Sequence, residues 1–179
     1  MAKGLGFVHS KTNWILPRRA KILAAQTLKG VPIDGRVLPI IDGIKAHIGK
    51  DEIRLPKSAP SNLLAALLKD RAKALLTPLA HQKAQILGLP IQRLTYRDTT
   101  SHWGSCSSKG AISLNWRIVC ADPLVQDYLV AHEVAHLKEQ HHQPAFWDQC
   151  ARLMAQPQAM NTARARLKAI SPKLMALPL

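Results

Sequence analysis

The chain has 179 residues, three cysteines and a net charge of +14. This length allows one domain with a buried core that needs no disulfide bonds. An odd number of widely spaced cysteines excludes a disulfide framework and favours a reducing, cytoplasmic setting, and the lack of a long apolar run excludes a membrane-spanning segment.

The positive charge is concentrated in the first part of the chain. Residues 1–110 contain 18 Lys and Arg against 6 Asp and Glu, whereas residues 111–179 contain 7 against 5. A basic excess of this size attracts phosphates and other anions, although it can also serve only to keep a protein soluble. Nucleic acid or another polyanion is therefore a candidate partner of the basic N-terminal part.

Two regions are predicted along the chain. Residues 1–56 contain short β-prone pieces separated by Gly and Pro, which indicates an N-terminal β-rich segment of uncertain register. Residues 57–179 contain the longer helical patterns and are predicted to form the main domain. No internal repeat or low-complexity tract occurs in the sequence.

The first predicted helix begins near Ser61, a candidate N-cap, and ends at Gly88. Apolar residues recur at helical spacing through it: Leu63, Leu64, Leu67, Leu68, Leu75 and Leu76. Pro78 lies inside the pattern and predicts a kink at that position.

Two strands are predicted next. The segment IQRLTYRD places Ile91, Leu94 and Tyr96 on one side of a strand, and AISLNWRIV alternates with a second apolar side: Ile112, Leu114, Trp116 and Ile118. The polar stretch TTSHWGSCSSKG lies between them. These features predict a hairpin of two neighbouring strands.

Several polar residues near this predicted hairpin are candidate substrate-binding residues, namely Lys109, Asn115 and Arg117. A cation here can bind a carboxylate or phosphate, or can be an ordinary solvated charge. The strand around residues 113–117 can also hold an extended substrate by edge pairing. Cys106 in the polar loop is interpreted as a small structural thiol, because no base accompanies it in the sequence.

Three helices are predicted in the last third of the chain. Asp122 followed by Pro123 is typical of an N-cap and first helical position, and opens a helix to about Lys138. Pro144 opens a second helix to about Ala155. Residues 161–169 form the last predicted helix, with cations toward its end.

The helix that Pro123 opens contains the chemical motif. His132, Glu133 and His136 form HExxH. Residues at positions i and i+4 differ by about 40° around a helix, so both imidazoles project from one face and suit a single zinc ion. Glu133 lies beside that face, where its carboxylate reaches a water near the metal and can act as general base.

A catalytic zinc usually has three protein ligands and one open position. His142 follows His136 by six residues, which is a known spacing for a third ligand, and His141 is its rival. In an unbroken helix His142 would lie about 240° around from His136 and could not reach the metal. The helix must therefore end between them, as Gln143 and Pro144 indicate.

The stretch from Arg97 to Trp147 resembles the SprT-like and YgjP-like zinc metallohydrolases. The matching features are the loop WGSCS at 103–107, the strand LNWR at 114–117, the HExxH helix and its continuation through His142 to Phe146 and Trp147. The resemblance places the third zinc ligand at His142. FVHSKTNWILPRRAK also resembles that family's N-terminal β region, whose earliest strands would then be missing. His102 and His141 depart from the family's usual residues.

The resemblance implies an α+β, zincin-like fold in which a small antiparallel or mixed sheet packs on helices and a central helix carries HExxH. The expected function is zinc-dependent hydrolysis of peptides, with Zn²⁺ as cofactor and Glu133 as general base. Hydrolysis of nucleotide phosphoanhydrides at the same site is a second hypothesis. The third is a nucleic-acid-binding module with a structural zinc, which needs a fourth ligand.

Overall fold

The computed structural model describes residues 29–60 and 62–179. Within them the chain forms two small mixed sheets and four α-helices, which confirms the predicted α+β class. The described residues fall into two compact units: 29–31, 38–60, 62–65 and 177–179 belong to one, and 32–37 and 66–176 to the other. The predicted boundary at residue 56 stays a prediction, and the segment FVHSKTNWILPRRAK lies outside the described residues.

A four-stranded sheet contains β1 (Gly30–Ile33), β2 (Arg36–Asp42), β3 (His47–Ile48) and β4 (Ile53–Leu55), in the order β1-β2-β4-β3. Strand β4 pairs parallel with β2 and antiparallel with β3. Asp34 and Gly35 connect β1 to β2 with φ values of 50° and 78°. Two consecutive positive φ angles are typical of a tight two-residue hairpin turn, which Asp-Gly favours.

The first helix, α1 (Leu63–Leu87), is continuous and contains Pro78. Gly88 follows it with a φ of 68°, the left-handed conformation in which helices commonly end. The predicted helix is therefore confirmed at its C-terminal end, whereas Ser61 lies outside the described residues. Buried residues at spacings of four along α1 form its core-facing side: Leu64, Leu68, Ala72, Leu76, Ala80 and Ala84.

A three-stranded sheet lies in the second unit. It consists of β5 (Arg93–Arg97), β6 (Gly104–Cys106) and β7 (Ala111–Asn115), in the order β5-β7-β6. The predicted hairpin is wrong, because β5 and β7 pair in parallel, with Leu94 opposite Ile112. The stretch predicted as a loop supplies β6, which pairs antiparallel with β7. This intervening strand lets the chain reverse direction before β7.

The second predicted strand is also shorter than expected. It ends at Asn115, and Trp116–Cys120 form a 3-10 helix instead. The Asn115 side chain accepts a hydrogen bond from the Arg117 backbone N–H at 3.0 Å and thereby caps this turn. Trp116 and Ile118 are buried as predicted, but in a helical turn rather than on one side of a strand.

The helix with the HExxH motif, α2 (Pro123–Ala135), begins as the sequence predicts. The Asp122 carboxylate accepts the Val125 N–H at 3.2 Å, and Pro123 occupies the first turn. The helix ends about three residues earlier than expected, because Leu137 and Lys138 donate to the carbonyls three residues before them. This tightening of the last turn closes the helix next to His136.

Two further helices complete the second unit. They are α3 (Pro144–Leu153) and α4 (Met160–Met175), and both pack against α2. The last helix is longer than the predicted 161–169 and includes Pro172. None of the described helices combines the length and the apolar character needed to span a membrane.

Replacing Asp122 by Ala should lower the free energy of unfolding by about 1 kcal/mol, because the cap of α2 is lost. Urea denaturation of both proteins measures the difference. Asp148→Ala is the matched control, since Asp148 is exposed in α3 and should change stability by less than about 0.5 kcal/mol. Equal stabilities of the two variants would contradict a stabilising role for the cap.

Candidate metal centre and active site

Three histidines meet at the end of α2. One ring nitrogen from each of His132, His136 and His142 lies within 4.8 Å of the others. His132 lies in the last turn of α2, His136 caps it, and His142 directly precedes the N-cap of α3. The structure thus brings together the three residues that the sequence predicts, and His141 is outside this group.

The donor atoms lie close enough together to share one divalent metal. The Nε2 atoms of His132 and His142 are 3.1 Å apart. Two nitrogens that bind one tetrahedral zinc at about 2.05 Å lie about 3.3 Å from each other, close to this separation. Three neutral imidazoles are also a typical ligand set for zinc. The residues therefore fit the metal that the sequence predicts.

A hydrogen bond sets the orientation of His136. Its Nδ1 lies 2.9 Å from the Glu139 carbonyl oxygen. A carbonyl can only accept, so Nδ1 carries the proton and Nε2 keeps its lone pair for a ligand. The Nδ1 of His132 is buried and has no hydrogen-bond partner among the residues that the structure describes.

An aromatic residue supports all three imidazoles. The Phe146 ring is fully buried and lies 4.9, 4.5 and 4.6 Å, centroid to centroid, from His132, His136 and His142. Trp147 stacks on His142 at 5.5 Å. Such packing restricts rotation of the rings and keeps water from one side of the site. Aromatic side chains of α3 therefore support the three histidines, which belong to α2 and to the segment after it.

Glu133 lies on the side of α2 that faces the three-stranded sheet. Its side chain is buried against Gly104 of β6, where an added Cβ would come within 2.5 Å of the carboxyl group. Only a residue without a side chain leaves the carboxyl this space. Burial raises the pKa of Glu133 to about 8.

One cation lies near the histidines. The Arg164 guanidinium of α4 is 4.5 Å from the centroid of the Trp147 ring, a cation–π contact. Burial is the main reason why the pKa of His132 is lowered to about 3, and the neighbouring imidazoles and Arg164 lower it further. The imidazole is therefore neutral at physiological pH, the form that binds metal.

A sequence model of the YgjP-like metallopeptidase domain family matches residues 2–169. The chain belongs to this family. The match confirms the resemblance to YgjP-like metallohydrolases and supports a hydrolase of metallopeptidase type. No curated protein and no solved structure matches the chain.

In this YgjP-like domain the three candidate substrate-binding residues lie in different environments. The Arg117 side chain is buried, and its Nε and NH2 donate to the Asp98 carboxylate at 2.5 and 3.2 Å. Asn115 is also buried and donates to the Thr99 carbonyl at 2.7 Å. Lys109 is exposed in the turn before β7. Their substrate role stays a prediction, and the contacts of Asn115 and Arg117 support a structural one.

Sequence reasoning missed three residues that shape the site. Gly104 belongs to the recognised WGSCS stretch, but only its contact with Glu133 gives it a specific role. Phe146 was noted within the family pattern and not as support for the histidines. Arg164 lies in the last predicted helix, and its proximity to Trp147 depends on how α4 packs. Cys106 is half-buried with a pKa raised to about 11, mainly by burial, which supports its interpretation as a structural thiol.

Replacing Arg117 by Met should lower the free energy of unfolding by about 1–2 kcal/mol, because the charged hydrogen bonds to Asp98 are lost while Asp98 itself stays in contact with water. Urea denaturation is the measurement. Lys109→Met is the control from the same set of residues and should change stability by less than about 0.5 kcal/mol. Unchanged stability of Arg117→Met together with lost hydrolysis would assign Arg117 to substrate binding instead.

Proposed function

We propose that this YgjP-like domain is a zinc-dependent peptidase in which His132, His136 and His142 bind the metal and Glu133 is the general base. The observation that carries the proposal is the close grouping of three ring nitrogens beside a buried carboxyl group that is not one of the ligands. A metal held by three protein ligands keeps a position open for chemistry.

The number of ligands favours a catalytic over a structural zinc. A structural site needs four protein ligands, and among the described residues the group contains three. The free cysteines Cys106, Cys120 and Cys150 lie outside this group of ligand atoms.

When bound, zinc supplies Lewis acidity, which lowers the pKa of a coordinated water and favours the ionised form of the nearby carboxyl group. Glu133 then accepts a proton from water and returns it to the leaving amine of the cleaved peptide. Its burial suits this role, since a carboxyl group with a raised pKa exchanges protons more readily near neutral pH.

The sheet supports an extended peptide as substrate, although at a different strand from the one predicted. Edge pairing at β7 is wrong, because β7 is the central strand and both its neighbours are in place. Strand β6 lies at the edge instead. The backbones of Trp103 and Ser107 form hydrogen bonds with β7. Hydrogen-bonded positions alternate in an antiparallel pair, so the N–H and C=O groups of Gly104 and Cys106 point away from β7.

A peptide paired with these free groups would run along β6 next to Glu133, which packs on Gly104. Trp103 fixes the start of this strand, because its indole N–H donates to the Ser171 hydroxyl at 2.7 Å and its carbonyl accepts the Asn115 N–H at 2.7 Å. The start of β6, along which the peptide would pair, is therefore fixed by contacts with both α4 and β7. This arrangement favours peptides over nucleotides as substrates.

Wild-type protein should bind about one zinc per chain, and His132→Ala or His136→Ala should lose it, since two ligands do not form a stable site. Glu133→Gln should keep its zinc and hydrolyse an unstructured protein such as casein about a hundredfold to ten-thousandfold more slowly. Metal analysis and the hydrolysis assay are made on the same samples.

Two outcomes would contradict this assignment. Full zinc occupancy in both histidine variants would place the metal elsewhere. Normal hydrolysis by zinc-loaded Glu133→Gln would mean that another residue is the base. Nucleoside triphosphates serve as the comparison substrates, and their hydrolysis without any cleavage of casein would replace the peptidase by a phosphoanhydride hydrolase.

Gly104→Ala should slow peptide hydrolysis about a hundredfold, because the added methyl group displaces the Glu133 carboxylate. The displaced atoms are the far end of a flexible side chain, so zinc content and thermal stability should change little. Ser105→Ala, at the next position of β6, is the control and should retain normal hydrolysis. Full activity of Gly104→Ala would show that the close packing does not position the base.

A further inference from the structure

The three-stranded sheet has a second, polar face. On one face, Tyr96, Ile112 and Leu114 are buried, whereas the alternate positions Thr95, Arg97, Ala111 and Ser113 have more solvent access. Side chains alternate between the two faces of a sheet. The more exposed positions of β5, β6 and β7 therefore form a separate surface, on the side of β6 opposite the one that Glu133 contacts.

This surface contains a cavity of about 310 Å³. Its floor is formed by small side chains of the central strand, Ala111 and Ser113, and β5 and β6 with the preceding loop form its walls. The volume lies at the lower end of the range for small-molecule sites and is large enough for more than a simple ion. The hollow exists because the middle strand carries small residues beside the longer Arg93 and Arg97 side chains of β5.

The cavity lining is rich in hydrogen-bond donors and contains no carboxylate. Arg93 and Arg97 line it from β5, and neither guanidinium group has an ion-pair or hydrogen-bond partner among the described residues. The nearest acidic residue in the sequence, Asp98, is paired with Arg117. The hydroxyl groups of Ser105 and Ser113 also line the cavity without a hydrogen-bond partner in the described part of the chain.

We propose that this cavity, here called the outer-face basin, binds a phosphate group. Two guanidinium groups and two hydroxyl groups are a donor set that suits a dianion with several acceptor oxygens, and guanidinium binds phosphate with two parallel hydrogen bonds. A carboxylate has one negative charge and two oxygens, so it would leave some of these donor groups without a hydrogen-bond partner. Both arginines of the basin also belong to residues 1–110, the more basic part of the chain.

The phosphate can belong to a free nucleotide or to a nucleic-acid strand, and the volume of the basin accommodates one nucleotide unit in either case. The basin does not include Glu133 or the three candidate metal ligands, so its ligand is distinct from the proposed peptide substrate. Ser105 and Gly104 are neighbours on β6, which means that one short strand separates the basin from the proposed active site.

The test is isothermal titration of the zinc-loaded protein with inorganic phosphate, adenosine monophosphate and a single-stranded oligonucleotide. Arg93→Gln/Arg97→Gln should weaken binding of the monophosphate at least about tenfold. Arg152→Gln/Lys168→Gln is the matched control, because it removes two exposed positive charges outside the basin and should leave this affinity unchanged. Ser113→Leu should also weaken binding, since it fills the floor without changing the charge.

The ligands distinguish the sources of the phosphate. Similar affinities for monophosphate and oligonucleotide, both lost in the basin variants, would identify a nucleotide site. An oligonucleotide affinity at least about tenfold higher, also lost in these variants, would identify a strand-binding site. The proposal is overturned if wild-type protein binds none of the three ligands, or if the basin variants and the control weaken binding equally, as general attraction to positive charge would produce.

Discussion

The candidate metal centre depends on where one helix ends. His132 and His136 share a face of α2, but His142 reaches them only because the backbone leaves the helix between His136 and Pro144. An unbroken helix would turn His142 about 240° away from His136. The last turn of α2 is tightened and ends the helix next to His136, and the Gln140 side-chain amide donates a hydrogen bond to the His136 carbonyl. Pro144 then starts α3 in a new direction.

The rest of the site is built on this break. Because α3 begins directly after His142, its first turn places Phe146 beneath the three imidazoles and Trp147 against one of them. The adjacent side of α2 packs on the edge strand β6, where Gly104 leaves room for the Glu133 carboxyl group. The two neighbouring residues of the motif therefore have different surroundings: aromatic rings support His132, and a strand backbone contacts Glu133.

Sequence reasoning predicted the parts of this arrangement that depend on local interactions. The Asp122 cap, the proline at the start of α2 and the need for a helix break all involve residues a few positions apart. The long helix α1 followed from its apolar spacing, and Gly88 marked its end. His132 and His136 could be selected because helix geometry relates positions along one short segment, and His142 followed from its spacing and from the family resemblance.

Strand pairing could not be predicted in the same way. Strands β5 and β7 have the alternation expected of strands, but alternation does not specify the partner or the direction. The short β6 was hidden in a stretch rich in Ser and Gly, which also suits a loop. For the same reason the roles of Gly104, Phe146 and Arg164 were missed, since each depends on a contact between segments that are distant in the sequence.

The central claim is that His132, His136 and His142 together bind one catalytic zinc. X-ray absorption at the zinc edge tests it most directly, because it counts imidazole ligands and distinguishes nitrogen or oxygen at about 2.0–2.1 Å from sulfur at about 2.3 Å. We expect three imidazoles and one oxygen in wild-type protein, loss of the zinc signal in His142→Ala because two ligands do not form a stable site, and an unchanged spectrum in His141→Ala. A sulfur ligand, or a zinc with three imidazoles in His142→Ala together with an imidazole lost in His141→Ala, would contradict the claim.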